Sequence, residues 1–119
     1  MNLKRVIIES PYSGGGQLEK QMEHFAYLER CLRDSLSRGE APFASHGFYT
    51  IFLDDDSLRD RDLGMKCGWA WMALCDFVAV YIDYDNSSGM LKGIEEATKL
   101  GKVVEYRKIG KNKPRIDQG

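Results

Sequence analysis

The chain has 119 residues, 43% hydrophobic and 29% charged, with a formal charge of −1 at pH 7 and a pI near 6.1. That is room for one domain of roughly four strands and three helices, and the near-neutral balance, with no basic stripe, argues against a nucleic-acid backbone as partner. The longest apolar stretch, GWAWMALCDFVAVYI, carries Asp76 in its middle and is too short for a membrane span, and the opening MNLKRVIIES does not read as a signal peptide.

In chain order, Arg5–Glu9 (RVIIE) is a β-branched run that reads as a buried strand, and Pro11 stops it because proline cannot donate to a ladder. The glycine-rich SGGGQ that follows is a loop. Leu18, Met22, Phe25, Leu28, Leu32 and Leu36 then recur at steps of three and four, which predicts an amphipathic helix over 18–37 with Gly39 as its stop. Ala41–Ala44 is a short strand candidate, and Phe48–Leu53 (FYTIFL) fits either a strand or an irregular apolar segment. Asp54, Asp55, Asp56 and Ser57 supply caps and first-turn charges for a helix over 58–74. Phe77–Ile82 is apolar on both faces, the pattern of a central parallel strand. Ser87 or Ser88 caps a third helix that ends near Leu100 with Gly101 beyond it, and Lys102–Tyr106 is the last strand. Strands alternating with helices imply a parallel sheet with helices on both faces. Residues 1–110 form the single domain and 111–119 a polar tail.

Ligands of such sheets sit beyond the carboxyl ends of the strands, where several polar constellations fall. Glu9–Gly16 (ESPYSGGG) lets backbone N–H groups approach an anion, yet it is neither GxGxxG nor a Walker A loop, so a flexible connection and a phosphate cradle both fit it. His46 in Ala44–His46 serves either as a ligand-facing donor or as a structural histidine. The run Asp54–Asp56 reads as a capping turn rather than a magnesium site. Ser87, Ser88 and Gly89, with Met90 beside them, lie where N–H groups and hydroxyls meet a phosphate, and Asp83 and Asp85 where carboxylates meet ribose; an N-cap serine and turn aspartates explain the same residues without a ligand. Trp69, Trp71, Met65 and Met72 exceed what one helix face needs to bury, which divides them between core and a subunit interface. Cys31, Cys67 and Cys75 form no CxxC pair and, with only two histidines, point to free thiols in a reducing cytoplasm and not to zinc.

The string VIIESPYSGG, followed by a long helix and CDFVAVYIDYDNSSGMLKGIEEATKLGKVV, resembles the nucleoside 2-deoxyribosyltransferase-like superfamily, which includes deoxyribosyltransferases and 2′-deoxynucleoside 5′-phosphate N-hydrolases. ESPYSG, RCLRDSLSRGEAPFASH, LGMKCGWAW, SSGM and GKVVEYR are similar to a group of small phage and prophage proteins. The resemblance covers about residues 5–107 and implies a small Rossmann-like (flavodoxin-like) α/β domain of four or five mostly parallel strands, in the cytoplasm of a bacterium or phage-infected cell.

It further implies that Ser13, Gly14, Gly15 and Gly16, with Ser87–Gly89, hold a sugar or its 5′-phosphate, and that a key glutamate stands four residues after Gly89. Gly93 occupies that position, and the nearby Glu95 is rotated about 200° around a helix. The tyrosine that the resemblance expects inside the first strand is also absent, leaving Tyr12 in the loop as a substitute.

The candidate carboxylates are therefore Glu9, Asp83, Asp85 and a displaced Glu95, with Glu9 at the end of the first strand suited to a raised pKa. A pairing of Glu9 with Arg107 is the alternative. The expected function is recognition of a nucleotide or nucleoside, with Ser10 and Ser13–Gly15 beside the phosphate, Asp83 at the ribose, Tyr12 or His46 at the base, and cleavage or transfer of an N-glycosidic bond. No cofactor or metal is expected. Assembly as a homodimer or larger oligomer is. A non-catalytic nucleotide binder and an interaction module are the competing readings, the first favoured by Gly93.

Overall fold

A computed structural model of the chain describes residues 2–12 and 17–111. Four strands, β1 (Lys4–Glu9), β2 (Glu40–Phe43), β3 (Phe77–Tyr81) and β4 (Val104–Arg107), pair in the order β2-β1-β3-β4, all parallel. The helices are α1 (Leu18–Ser37), the single turn α2 (Ser45–Phe48), α3 (Leu58–Met72) and α4 (Ser88–Lys99). This is the parallel sheet expected from the alternation of periods, in the small Rossmann-like α/β architecture that the resemblance implies.

Side chains of a strand alternate between the two faces of the sheet, and the core divides accordingly. Val6, Ile8, Ala79 and Tyr81 pack against Tyr27, Leu28 and Cys31 of α1, while Ile7, Val78 and Val80 pack against Met72 of α3 and Met90 and Ala97 of α4. The central strands β1 and β3 are thus apolar on both sides, and β2, which contains Pro42, runs along an edge where a missing N–H costs least.

The face that α1 buries is rotated from the one its leucines predict. Leu18, Met22, Phe25 and Leu36 are exposed, and Tyr27, Leu28, Cys31 and Ser35 are buried. The reason is polar: the Tyr27 hydroxyl donates to Asp83 at 2.6 Å and the Ser35 hydroxyl to Glu40 at 2.7 Å, so neither hydroxyl is desolvated without a partner. Phe48–Leu53 is not a strand. It forms the end of α2 and a 3-10 turn, Tyr49–Ile51. At the far end, α4 closes in a Schellman motif, with Gly101 at φ 71°, its N–H on Thr98 and the Lys102 N–H on Ala97. Those bonds hold Lys102 in the cap and delay β4 to Val104.

The two edge strands are tied together beneath α1. Arg107, on β4, has a side chain only 2% exposed and grips both carboxylate oxygens of Glu40, on β2, at 2.9 and 2.7 Å. Its Nε reaches Glu105 at 2.6 Å and its Nη1 the Tyr81 hydroxyl at 3.0 Å, and the guanidinium lies over the rings of Phe77 and Tyr81. Burial disfavours the Glu40 charge, but hydrogen bonds from Arg107 and Ser35 outweigh it and hold the carboxyl below its usual range. Removing one partner leaves the other buried and uncompensated. Arg107→Ala is expected to lower unfolding stability by about 3–5 kcal/mol, measured by urea denaturation. Because the folded-state pKa of Glu40 is depressed, its contribution is present above the ordinary carboxylate range and is lost as pH falls below it.

Candidate functional site

The carboxyl ends of the parallel strands open on a cavity of about 150 Å³, some ten times what a water requires (~10–15 Å³). β1 delivers Glu9 and Ser10 to it, Tyr12 follows, α2 and the 3-10 turn contribute Ser45, His46, Tyr49 and Thr50, α3 contributes Met65, Gly68, Trp69 and Met72, and α4 brings Ser87–Met90 and Gly93. A side chain in place of Gly68 would meet Ser45, so this glycine lets α2 approach α3 closely enough to form the wall.

Glu9 makes the most informative contact. A Cβ built on Gly93 would stand 2.5 Å from Glu9 Oε2, 2.7 Å from its Cδ and 2.9 Å from Oε1. The Glu9 carboxyl therefore lies against Gly93 of α4, in space that any other residue at 93 would claim. Ile7, Met72 and Met90 line the same cavity and belong to the apolar core beside it. Among the described residues no group hydrogen-bonds this carboxyl, and burial alone pushes its pKa up to about 8. The pairing with Arg107 does not form, because Arg107 is held by Glu40 and Glu105.

Next along the chain, the buried Ser10 places its Oγ 2.8 Å from His46 Nε2. Burial lowers the His46 pKa to about 4, so the ring is neutral at pH 7. Tyr12 stands edge-on to His46 with centroids 6.4 Å apart, and the His24 ring N–H donates to the Tyr12 carbonyl at 3.4 Å. On the opposite side Ser87 caps α4: its Oγ accepts from the Met90 N–H at 3.2 Å, and its own N–H rests on Met90 Sδ at 3.5 Å. Ser88 and Gly89, in the first turn of α4, line the cavity, where unpaired first-turn N–H groups favour an electron-rich ligand. Asp54, Asp55, Asp60 and Arg61 also line the cavity. Asp60 accepts from the Asp54 N–H at 2.8 Å, Asp54 from the Asp56 N–H at 3.0 Å, and the Ser57 hydroxyl caps α3 through the Asp60 N–H, so the acidic run is a capping turn.

Of the residues singled out in the sequence, Glu9, Ser10, Tyr12, His46, Ser87, Ser88, Gly89 and Met90 meet in this cavity, and Ser13, Gly14, Gly15 and Gly16 lie outside the described residues. Three expectations need correction. Asp83 does not reach the cavity: its carboxylate accepts from the Tyr27 hydroxyl and from the N–H groups of Ile109 and Gly110 at 2.6–2.8 Å. Burial works against that charge, but these donors hold the pKa of Asp83 below its usual value. It anchors the segment after β4. Asp85 is exposed and is not among the residues lining this cavity, and Glu95 is exposed on the outer face of α4, as the 200° rotation requires. Trp69, Tyr49, Thr50 and Met65 line the cavity unforeseen. The GWAWM stripe held the signal: Trp69 faces the cavity, while Trp71, half exposed, donates its indole N–H to the Tyr49 hydroxyl at 2.9 Å.

The α/β fold is nucleoside 2-deoxyribosyltransferase-like. The chain superposes on a solved 2-deoxyribosyltransferase from Bacillus psychrosaccharolyticus with a TM-score of 0.62 at 19% identity, over 95% of this chain and 78% of that one. It belongs to the family described as Domain of unknown function (DUF7768), whose model matches residues 4–107. No curated protein matches the chain. Among the described residues no helix is long and apolar enough to cross a membrane.

Two outcomes follow from the Glu9–Gly93 contact. Gly93→Ala is expected to displace the carboxyl, returning its pKa toward 4.5 in a carboxyl-resolved NMR titration. In a double-mutant cycle with Glu9→Ala the two sites should couple by about 0.5–3 kcal/mol, since alanine at 93 in the absence of the carboxyl gains helix propensity of up to about 1 kcal/mol. Stability should also fall as pH rises from about 4.5 to 8, because the native state retains a proton that the unfolded chain releases. Glu9→Gln should remove that slope and melt at a higher temperature than the parent protein at pH 9, measured by calorimetry across pH.

Proposed function

We propose that this protein binds a nucleoside or nucleotide in the cavity at the strand ends and breaks or transfers its N-glycosidic bond, with Glu9 as the carboxyl at the sugar. The observation that carries this reading is the Glu9 carboxyl seated against Gly93. The resemblance expects the key glutamate at position 93, and its functional group is supplied instead from β1 into the space beside that position. Met65, Tyr49 and Trp69 offer an apolar, aromatic wall for a base, and the first turn of α4 offers N–H groups to the polar end of the sugar. The likeness of fold to a 2-deoxyribosyltransferase supports the class of ligand.

The test is product analysis by chromatography after incubation with a panel of ribo- and deoxyribonucleosides and their 5′-monophosphates. A released or exchanged base is expected, and Glu9→Gln should slow it by about 100-fold or more. The exchange variant, Glu9→Gly with Gly93→Glu, should recover part of the loss, since the carboxyl would return to the same niche from the other side. Gly93 itself favours a second reading, a binder that does no chemistry. In that case a nucleoside raises the melting temperature while no base is released.

A further inference from the structure

Resting on the proposed glycosidic-bond chemistry, we propose a division of labour in the cavity: Glu9 donates a proton to the departing base, Ser10 backed by His46 accepts one from water, and water rather than a protein carboxylate attacks the sugar carbon.

The geometry separates two proton-handling groups that are neighbours in sequence. Glu9 and Ser10 both emerge at the tip of β1, but the Glu9 carboxyl lies against Gly93 of α4, whereas Ser10 turns to the His46 imidazole of α2. A covalent sugar intermediate requires an ionised carboxylate. The surroundings of Glu9 oppose that charge. Among the described residues, the titratable and charged groups lining the cavity with it are His46 from α2, Tyr12, Tyr49 from the 3-10 turn, Asp54 and Asp55 before α3, and Asp60 and Arg61 on α3; none comes from α4. The one cation of that set, Arg61, lies 3.8 Å from Asp55. Asp83, at the end of β3, is turned away to Tyr27. A carboxyl in this setting keeps its proton at pH 7, with a pKa near 8, and a protonated acid is a donor and a poor nucleophile.

His46 has the complementary property. It is neutral above about pH 4; in the tautomer this proposal requires, the ring proton sits on Nδ1 and the Ser10 hydroxyl, 2.8 Å away, donates to Nε2. Ser10 Oγ then has lone pairs to orient a water. As that water's oxygen bonds to the sugar carbon, its proton passes to Ser10 Oγ and the Ser10 proton to His46 Nε2. The carbon–nitrogen bond breaks, its electron pair stays on the base nitrogen, and that nitrogen takes the Glu9 proton. Nucleoside and water become free base and free sugar, and solvent carries the proton from His46 back to Glu9. Ser10 is the residue that meets water, and His46 acts through it as a positioning residue.

The experiment uses the full chain and whichever nucleoside of the panel releases its base, with a second free base in excess. Free sugar without a new nucleoside is expected. The rate should fall below about pH 4 and above about pH 8. Ser10→Ala should cost about 100-fold in kcat while the nucleoside still raises the melting temperature, and Ser10→Thr should restore part of the rate. His46→Gln should lower kcat and remove the acidic limb of the profile. A carboxyl-resolved NMR titration of the unaltered protein, showing Glu9 protonated at pH 7, supports the donor role even if a variant fails to fold. Efficient formation of the second nucleoside, or a sugar adduct on Glu9 trapped with a 2-fluoro nucleoside and seen by mass spectrometry, overturns this inference and leaves glycosidic-bond chemistry standing. If no nucleoside or nucleotide of the panel releases its base, both fall.

Discussion

A carboxyl group and a side chain at residue 93 compete for one small volume, and the outcome of that competition organises the site. With glycine on α4, the end of β1 can turn its glutamate inward against helix backbone, and the helix packs close to the strand tip. Burial there, with no hydrogen-bond donor among the described residues, favours the neutral form of the acid. Its unusual proton affinity thus follows from the absence of a Cβ on a neighbouring helix, and the chemistry of the cavity is coupled to the packing of α4.

That niche stands on a scaffold whose polar contacts lie mostly on the other face of the sheet. Arg107 and Glu40 join the outer strands, Tyr81 and Asp34 tie β3 to α1 at 2.7 Å, and Asp83 clasps the chain after β4 through two backbone N–H groups. The buried Arg107 guanidinium is paired with Glu40, as burial of a charge demands. The face that carries α3 and α4 is nearly all apolar, and the cavity opens at its upper edge. One side of the sheet holds the frame rigid by directional bonds, and the other is shaped by packing.

Some errors in reading the sequence share a cause with this arrangement. The leucines of α1 predict its inward face only if burial follows hydrophobicity. Tyr27 and Ser35 are buried because hydrogen-bond acceptors on distant residues, Asp83 and Glu40, satisfy them. Asp83 itself has the composition of a ribose ligand, and nothing local distinguishes that from an anchor for Ile109 and Gly110, which are more than twenty residues away. FYTIFL carries strand-forming residues yet curls into a 3-10 turn, because its aromatic rings stack on one another and on Phe43 instead of joining a ladder.

The sequence by itself determined the alternation of strand and helix, the central character of Phe77–Ile82, a serine cap at 87 or 88, a cap within 54–57 and the Gly101 stop, all consequences of period, propensity and hydrogen bonding within a few residues. It also made Glu9 a candidate, through its position at a strand end. Only the tertiary structure decided that Glu9 lies against Gly93, that Ser10 faces His46 and that Asp83 and Glu95 stand apart from both. The physical reason is distance along the chain: a side chain meets residues tens of positions away only through the registry of strands and the closeness of helix packing, and those depend on the whole core at once.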